Sequence, residues 1–307
     1  MATENGLQRA SRPLIFGEVL FDRFPDGSSV LGGAPFNVAW NLRGFGLNPL
    51  FISRVGRDVA GDKVFTHMQD WGLDTSALQR DERYPTGAVK VTLADGQPSF
   101  DICAEQAYDF ISHDEIARSI TDETFTLLYH GTLAGRHQVS HATLEWMAAT
   151  LDSPIFVDIN LRPPWNSPTK IDEALSRAYW LKLNSDELMD IAESNHSGDI
   201  IATARQVMRT FNISEIFLTL GADGAYLVTA DEAMCGEPVA VGSLIDTVGA
   251  GDAFAAVSIL GIQLGWSRRQ LLRNALEFAS AVCGIRGATC SDPSFYQEFA
   301  TRWKEQT

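Results

Sequence analysis

The second half of this chain alternates between two hydrophobic periods, and that alternation narrows the folds open to it. From about residue 125, the runs "FTLLYHG", "SPIFVDIN", "YWLKLN" and "EIFLTLG" read as strands. Between and after them, "HQVSHATLEWMAATL", "SDELMDIAE" and "GDIIATARQVMRTF" read as helices. Strands separated by helices predict a parallel sheet covered on both faces. The N-terminal part follows the same rhythm. "PLIFGEVLFDRF" reads as one strand and "PLFISRVG" as another, while "APFNVAWNLRGFG" and "AGDKVFTHMQDWG" read as helices that stop at glycine. "TGAVKVTLADGQPSFDICA" breaks the pattern: two alternating runs flank Asp95-Gly96, a hairpin signal, and are assigned to a small separate β layer. Residues 1–12 are polar and read as a flexible tail. The predicted fold is α/β: a doubly wound, mainly parallel sheet with helices on both faces, plus a small β-sheet.

At 307 residues and 45% hydrophobic content the chain can bury a large core. A formal net charge of −15 with no basic run argues against nucleic acid as a partner. The four cysteines, Cys103, Cys235, Cys283 and Cys290, show no CxxC spacing and read as reduced thiols. "MATENGLQRASRP" lacks the apolar stretch of a signal peptide, and "AFAAVSILGIQLGW" is too short and Gly-broken to span a membrane. The expectation is a cytoplasmic protein with no membrane association.

One loop bears chemistry. In "DTVGAGDAFAAVSIL", Gly249, Ala250 and Gly251 carry almost no side chain where a helix begins, so their amides can converge on an anion. Asp252 stands beside them and could accept a proton from an attacking hydroxyl. The competing reading makes Asp252 an N-cap. Other nucleotide signatures fail. "GRDVAGDK" places Asp62 where a P-loop needs lysine, and "GAGDAF" lacks the acidic strand end of a dinucleotide fingerprint. In "LGGAPFNVAWNL", Gly32-Gly33 permits close backbone approach to a ligand and Asn37 lies one turn into a helix. Asp22 ends the strand "GEVLFD" as an acceptor for sugar hydroxyls, or as an ordinary surface charge. His137 and His141 have i, i+4 spacing, but no third metal ligand is evident in the sequence.

"GGAPFNVA" followed by "DTVGAGDAF" closely resembles the two signatures of the ribokinase-like (PfkB) carbohydrate kinases. The segments "RVGRDVAGDKV", "WGLDT", "KLNSDEL" and "LTLGADGAYLV" resemble further motifs of that family, and the resemblance covers about residues 14–293. "TGAVKVTL", "AYDFI" and "DINLRPPW" look most like fructokinases. The resemblance implies one kinase domain over 13–307 with a β lid formed by about 20–31 and 84–107. It implies Asp252 as base, Gly249, Ala250 and Gly251 as anion hole, and Asp22, Gly33, Asn37 and Arg162 as sugar contacts. It implies Asn184, Glu187, Thr219, Gly221 and Gly224 on the nucleotide side. Glu187 would act on magnesium through water, and Asp246 would lie near a monovalent cation. Val248 departs from the threonine often found in "DTTGAGD", and Ser280 and Cys283 depart near the adenine edge. The implied activity is transfer of the ATP γ-phosphate to a primary hydroxyl, with fructose as first choice. Ribose, 2-keto-3-deoxygluconate or a nucleoside is the alternative acceptor, and a non-catalytic binding regulator the alternative class. ATP and Mg2+ are the implied cofactors, with K+ as an optional ion, and a homodimer through the lid is the family analogy.

Overall fold

The computed structural model describes residues 11–305, apart from 95–96, 121–122, 193–197, 241 and 243. Thirteen strands are described. They are β1 (Arg12–Phe16), β2 (Leu20–Arg23), β3 (Ser29–Gly32), β4 (Leu50–Gly56), β5 (Leu78–Asp81), β6 (Gly87–Ala94), β7 (Gln97–Ile102), β8 (Phe125–His130), β9 (Ile155–Asp158), β10 (Trp180–Asn184), β11 (Glu215–Thr219), β12 (Ala225–Val228) and β13 (Ala233–Gly236). The helices are α1 (Ala34–Gly44), α2 (Val59–Trp71), α3 (His113–Ile120), α4 (Gln138–Thr150), α5 (Pro168–Arg177), α6 (Ser185–Ile191), α7 (Ile200–Phe211), α8 (Ala250–Leu264), α9 (Arg268–Val282) and α10 (Pro293–Glu305).

Nine strands form one sheet in the order β13-β12-β11-β10-β9-β8-β1-β4-β5. It is parallel from β11 through to β5, with β12 and β13 added antiparallel. Consecutive strand residues enter opposite cores, as a pleat requires. Ile15 and Phe51 join Phe36, Val64, Phe254 and Phe278 on one face. Leu14, Phe16, Leu50 and Ile52 join Ile116, Leu144, Leu175 and Val207 on the other. The winding runs outward from β1 through β4 to β5, then restarts on the other side at β8. Ligands of such sheets bind at this reversal, beyond the carboxyl ends of the strands.

The hairpin that broke the rhythm is β6-β7, and it belongs to a separate four-stranded sheet, β3-β2-β6-β7. Its Asp95-Gly96 turn lies outside the described residues. Two sequence expectations are corrected. "PLIFGEVLFDRF" is two strands in two sheets, not one strand. A period-2 pattern persists when a chain changes partner strands, so it cannot mark the break at Gly17-Glu18-Val19. The strand also reaches into the expected tail: Arg12 begins β1, and its guanidinium pairs with Asp74 at 2.7 Å and Glu123 at 2.8 Å.

Candidate active site

The glycine loop turns the chain into α8. Gly249 caps the helix at φ 83°, ψ −4°, a left-handed conformation that L side chains rarely adopt, and a Cβ there would collide with Ala288. The amides of the first helical turn have no intrahelical acceptor and point out of the helix end. Asp252 is the third helical residue, not the N-cap, so the capping reading fails. Its Oδ2 accepts from Asn37 Nδ2 at 2.8 Å, across from α1. Burial pushes the Asp252 carboxyl up to about 6. The Asn37 bond opposes the rise, Asp158 adds to it, and the Lys182 and Arg162 charges oppose it.

Beneath the loop lies a buried ion pair that the sequence reading did not assign. Lys182 Nζ donates to Asp158 Oδ1 at 2.8 Å and Oδ2 at 2.9 Å. The two residues face each other across β10 and β9, and Tyr129 Oη adds a bond to Asp158 Oδ2 at 3.3 Å. Burial alone would lower the Lys182 pKa, but Asp158 outweighs it and the net direction is upward, so Lys182 stays charged. A Cβ on Gly251 would sit 3.2 Å from Lys182 Nζ. A cation thus underlies the N-terminal end of α8. A lysine and an aspartate inside apolar strands, "WLKLN" and "IFVDIN", were the available signal.

On the other side of Asp252, β2 carries Asp22, whose carboxyl burial pushes up to about 6 against the opposing charge of Arg162. Gly33, at φ 111°, lies so close to the turn after β1 that a Cβ would be 2.6 Å from Glu18 O. Asn37 is buried, and its Oδ1 accepts no hydrogen bond among the described residues. Arg162 is exposed; its Nη1 donates to Leu161 O at 3.0 Å, and its charge reaches Glu18, Asp22 and Asp252. Asp22, Asn37, Arg162 and Asp252 therefore belong to one electrostatic neighbourhood. Glu18 belongs to it too, and the sequence reading passed over it.

The expected nucleotide-side residues cluster at neighbouring strand ends. Asn184 caps α6, and Glu187 closes a capping box with it. Asn184 Oδ1 accepts from Glu187 N at 2.8 Å, and Glu187 Oε2 accepts from Asn184 N at 2.9 Å. Glu187 Oε1 accepts from Leu161 N at 2.9 Å, and burial raises this carboxyl's pKa. Thr219 ends β11 next to Asn184, and Gly221 and Gly224 shape the turn into β12 with φ 59° and 91°. Asp246 joins two loops: Oδ1 accepts from Val248 N at 3.0 Å and Oδ2 from Gly287 N at 3.2 Å.

The histidine pair resolves differently from its spacing. His137 caps α4. His141 instead meets Glu145 and Glu173, whose oxygens lie within 4.8 Å of one another and of its ring nitrogen. Arg177 also pairs with Glu145, which offsets one of the two carboxylate charges in this cluster. The motif "GRDVAG" is a structural joint: Asp58 caps α2 through Gly61 N at 2.7 Å and ties down Thr86 N at 2.9 Å, just before β6.

The start of α8, the Asp252 carboxyl in its first turn, and Asp22, Asn37 and Arg162 around that carboxyl make up the candidate site. The family model described as pfkB family carbohydrate kinase matches residues 7–294. The chain belongs to this family and is an ATP-dependent sugar kinase. It is 29% identical to aminoimidazole riboside kinase of Salmonella typhimurium over 293 residues, covering 90% of this chain and 88% of that protein. It is 27% identical to fructokinase of Vibrio alginolyticus over 291 residues, covering 90% and 92%. The crystal structure of fructokinase with bound ATP from Xylella fastidiosa superposes with a TM-score of 0.83 at 22% identity, covering 95% of this chain and 99% of that one. That likeness shows the fold. No helix among the described residues is long and apolar enough to cross a membrane.

Proposed function

We propose that this kinase phosphorylates fructose to fructose 6-phosphate, with Asp252 as the base. The observation that carries the site assignment is the Asn37–Asp252 bond at the N-terminal turn of α8. It aims one carboxyl oxygen at the acceptor side while the amides of Gly249–Gly251 face the incoming phosphoryl group. As the O–P bond to the sugar hydroxyl forms, its proton passes to Asp252 and ADP departs with the electrons of the broken O–P bond. Charge building on the transferred oxygens meets the helix end and the field of Lys182. Asp22, Gly33, Asn37 and Arg162 hold the sugar. The four-stranded sheet acts as a lid that excludes water. Choice of fructose rests on fructokinases among the relatives that match nearly the whole chain.

A divalent ion fits beside Glu187 only indirectly. Each of its oxygens already accepts one amide, which leaves lone pairs to orient a metal-bound water rather than to ligate. Magnesium there would screen the nucleotide phosphates. Asp246 would anchor the loops around a monovalent ion such as K+.

The riboside kinase relative favours a second reading, in which the acceptor is a riboside. A coupled ADP-release assay over fructose, ribose, 2-keto-3-deoxygluconate and a purine-type riboside separates the two. Fructose should give the highest kcat/KM. A panel in which another acceptor exceeds it tenfold overturns the fructose assignment, and no ADP release with any acceptor overturns turnover itself.

A further inference from the structure

Glu18 lies in the turn between β1 and β2, directly behind Gly33, and is only 4% exposed. Its Oε2 has no hydrogen-bond partner among the described residues. Two more buried polar atoms nearby share that condition: Tyr108 Oη and Arg136 Nη1. The rest of Arg136 is committed. Its Nε and Nη2 bind Asp109 at 2.7 and 2.8 Å, Nη2 also reaches Cys103 O, and its plane stacks over Trp165 at 4.2 Å. Arg136 also lies over the Tyr108 ring at 5.1 Å, and that ring sits under Gly87 at the start of β6, the strand paired with β2. The Glu18 charge acts on the Tyr108 hydroxyl, though no hydrogen bond joins the two among the described residues. Asp252 and Arg162 act on Glu18 as well. Buried polar groups are seldom left unpaired, and these three atoms, around the start of β2 and β6, each lack a hydrogen-bond partner among the described residues.

We propose that Glu18, with Tyr108 and Arg136 beside it, binds hydroxyls of the acceptor on the side away from the transferred group, and so selects uncharged polyhydroxy acceptors over sugar acids. The inference rests on the kinase site described above and deepens it. Burial pushes the Glu18 carboxyl up to about 7, with Arg162 and Arg136 opposing and Asp252 assisting, so near neutral pH it can both donate to and accept from a hydroxyl. A carboxylate on the acceptor would face Glu18, Asp22 and Asp252 together. Arg136 is paired with Asp109 and Lys182 with Asp158, so each of these cations is already shared with another carboxylate.

The test compares wild type with Glu18→Gln and Glu18→Asp, using fructose, its monodeoxy analogues and 2-keto-3-deoxygluconate, with ATP as donor. Glu18→Gln keeps the shape and removes the acid; Glu18→Asp keeps the acid and withdraws it by one methylene, so one variant remains readable should the other fail to fold. The expected result is a fructose KM raised about tenfold or more, the scale of one buried hydrogen bond, with the ATP KM within about twofold. At least one deoxy analogue should lose the same factor in wild type but little further in the variant. The disadvantage of the sugar acid relative to fructose should shrink in Glu18→Gln. A folded variant with fructose KM within about twofold of wild type overturns the proposal and leaves the kinase reading intact. Wild type that phosphorylates none of these acceptors removes the kinase reading and this proposal together.

Discussion

Asp252→Asn separates a buried base from a capping aspartate, because the two roles predict different pH dependences of stability and different losses of turnover. The substitution is nearly isosteric, and Asn37 can still donate to the new amide oxygen across the 2.8 Å contact. The native carboxyl titrates near 6 instead of the ordinary 3.8, chiefly through burial. Below pH 4 both folded and unfolded chains hold the proton, and the contribution to stability is complete. As pH rises from about 4 to about 6 the unfolded chain ionises while the native carboxyl keeps its proton, and stability is lost until the native carboxyl has ionised too. At about 1.4 kcal/mol per pH unit, the loss is about 3 kcal/mol at pH 8. The amide that replaces the carboxyl has no proton to lose, so the variant should match wild type near pH 4 and exceed it by up to about 3 kcal/mol at pH 8. A capping role would instead leave stability nearly unchanged at either pH, because asparagine caps a helix about as well as aspartate. Turnover should fall about 10²–10⁴-fold, the scale of a general base. For wild type, kcat/KM should drop about tenfold per pH unit below 6, since the base must be ionised. Urea unfolding at pH 4 and 8 and initial rates of ADP formation read all of this. A variant that retains more than about half the wild-type kcat, or that is destabilised at pH 8, refutes the assignment.

Gly251→Val should cost at least about 10²-fold in kcat, because a side chain would enter the space above Lys182 Nζ and crowd the phosphoryl group; calorimetry should show fructose affinity unchanged, and the reverse pattern would contradict the anion-hole role. Asp22→Ala should lower kcat/KM for fructose about tenfold or more while the KM for ATP stays within about twofold. Normal fructose kinetics in that variant would place the sugar elsewhere.

Much of this architecture could be read from the chain, because period and punctuation report local geometry. The helices ended by Gly72 and Gly265 and the strands on either side of α4 follow from patterns a few residues long. Asp252, Asn37 and Asp22 were visible because glycines flank them or a strand ends there. Glu18 and the Lys182–Asp158 pair were not, for a different reason. Each is a charged residue inside an apolar run, and its meaning depends on which strand lies beside it. Lys182 faces Asp158 only because β10 pairs with β9 in that register. Glu18 matters only because α1 folds back so that Gly33 lies against it. The neighbour of His141 was hidden for the same reason: its helical spacing from His137 is local, while α5 supplies Glu173 from a separate element.

The bond between Asn37 and Asp252 joins residues 215 positions apart in the chain. Contacts of that sequence separation form late, because closing so long a loop costs entropy before any contact rewards it. A nascent chain still lacking α8 can build β1 through β11 and bury much of one core, yet it lacks Asp252 and the Gly249–Gly251 loop. During refolding, far-UV circular dichroism should recover before ADP-forming activity does. Catalytic competence is thus a report on whether the two ends of the polypeptide have met, and a truncated or misassembled chain falls silent before it falls apart.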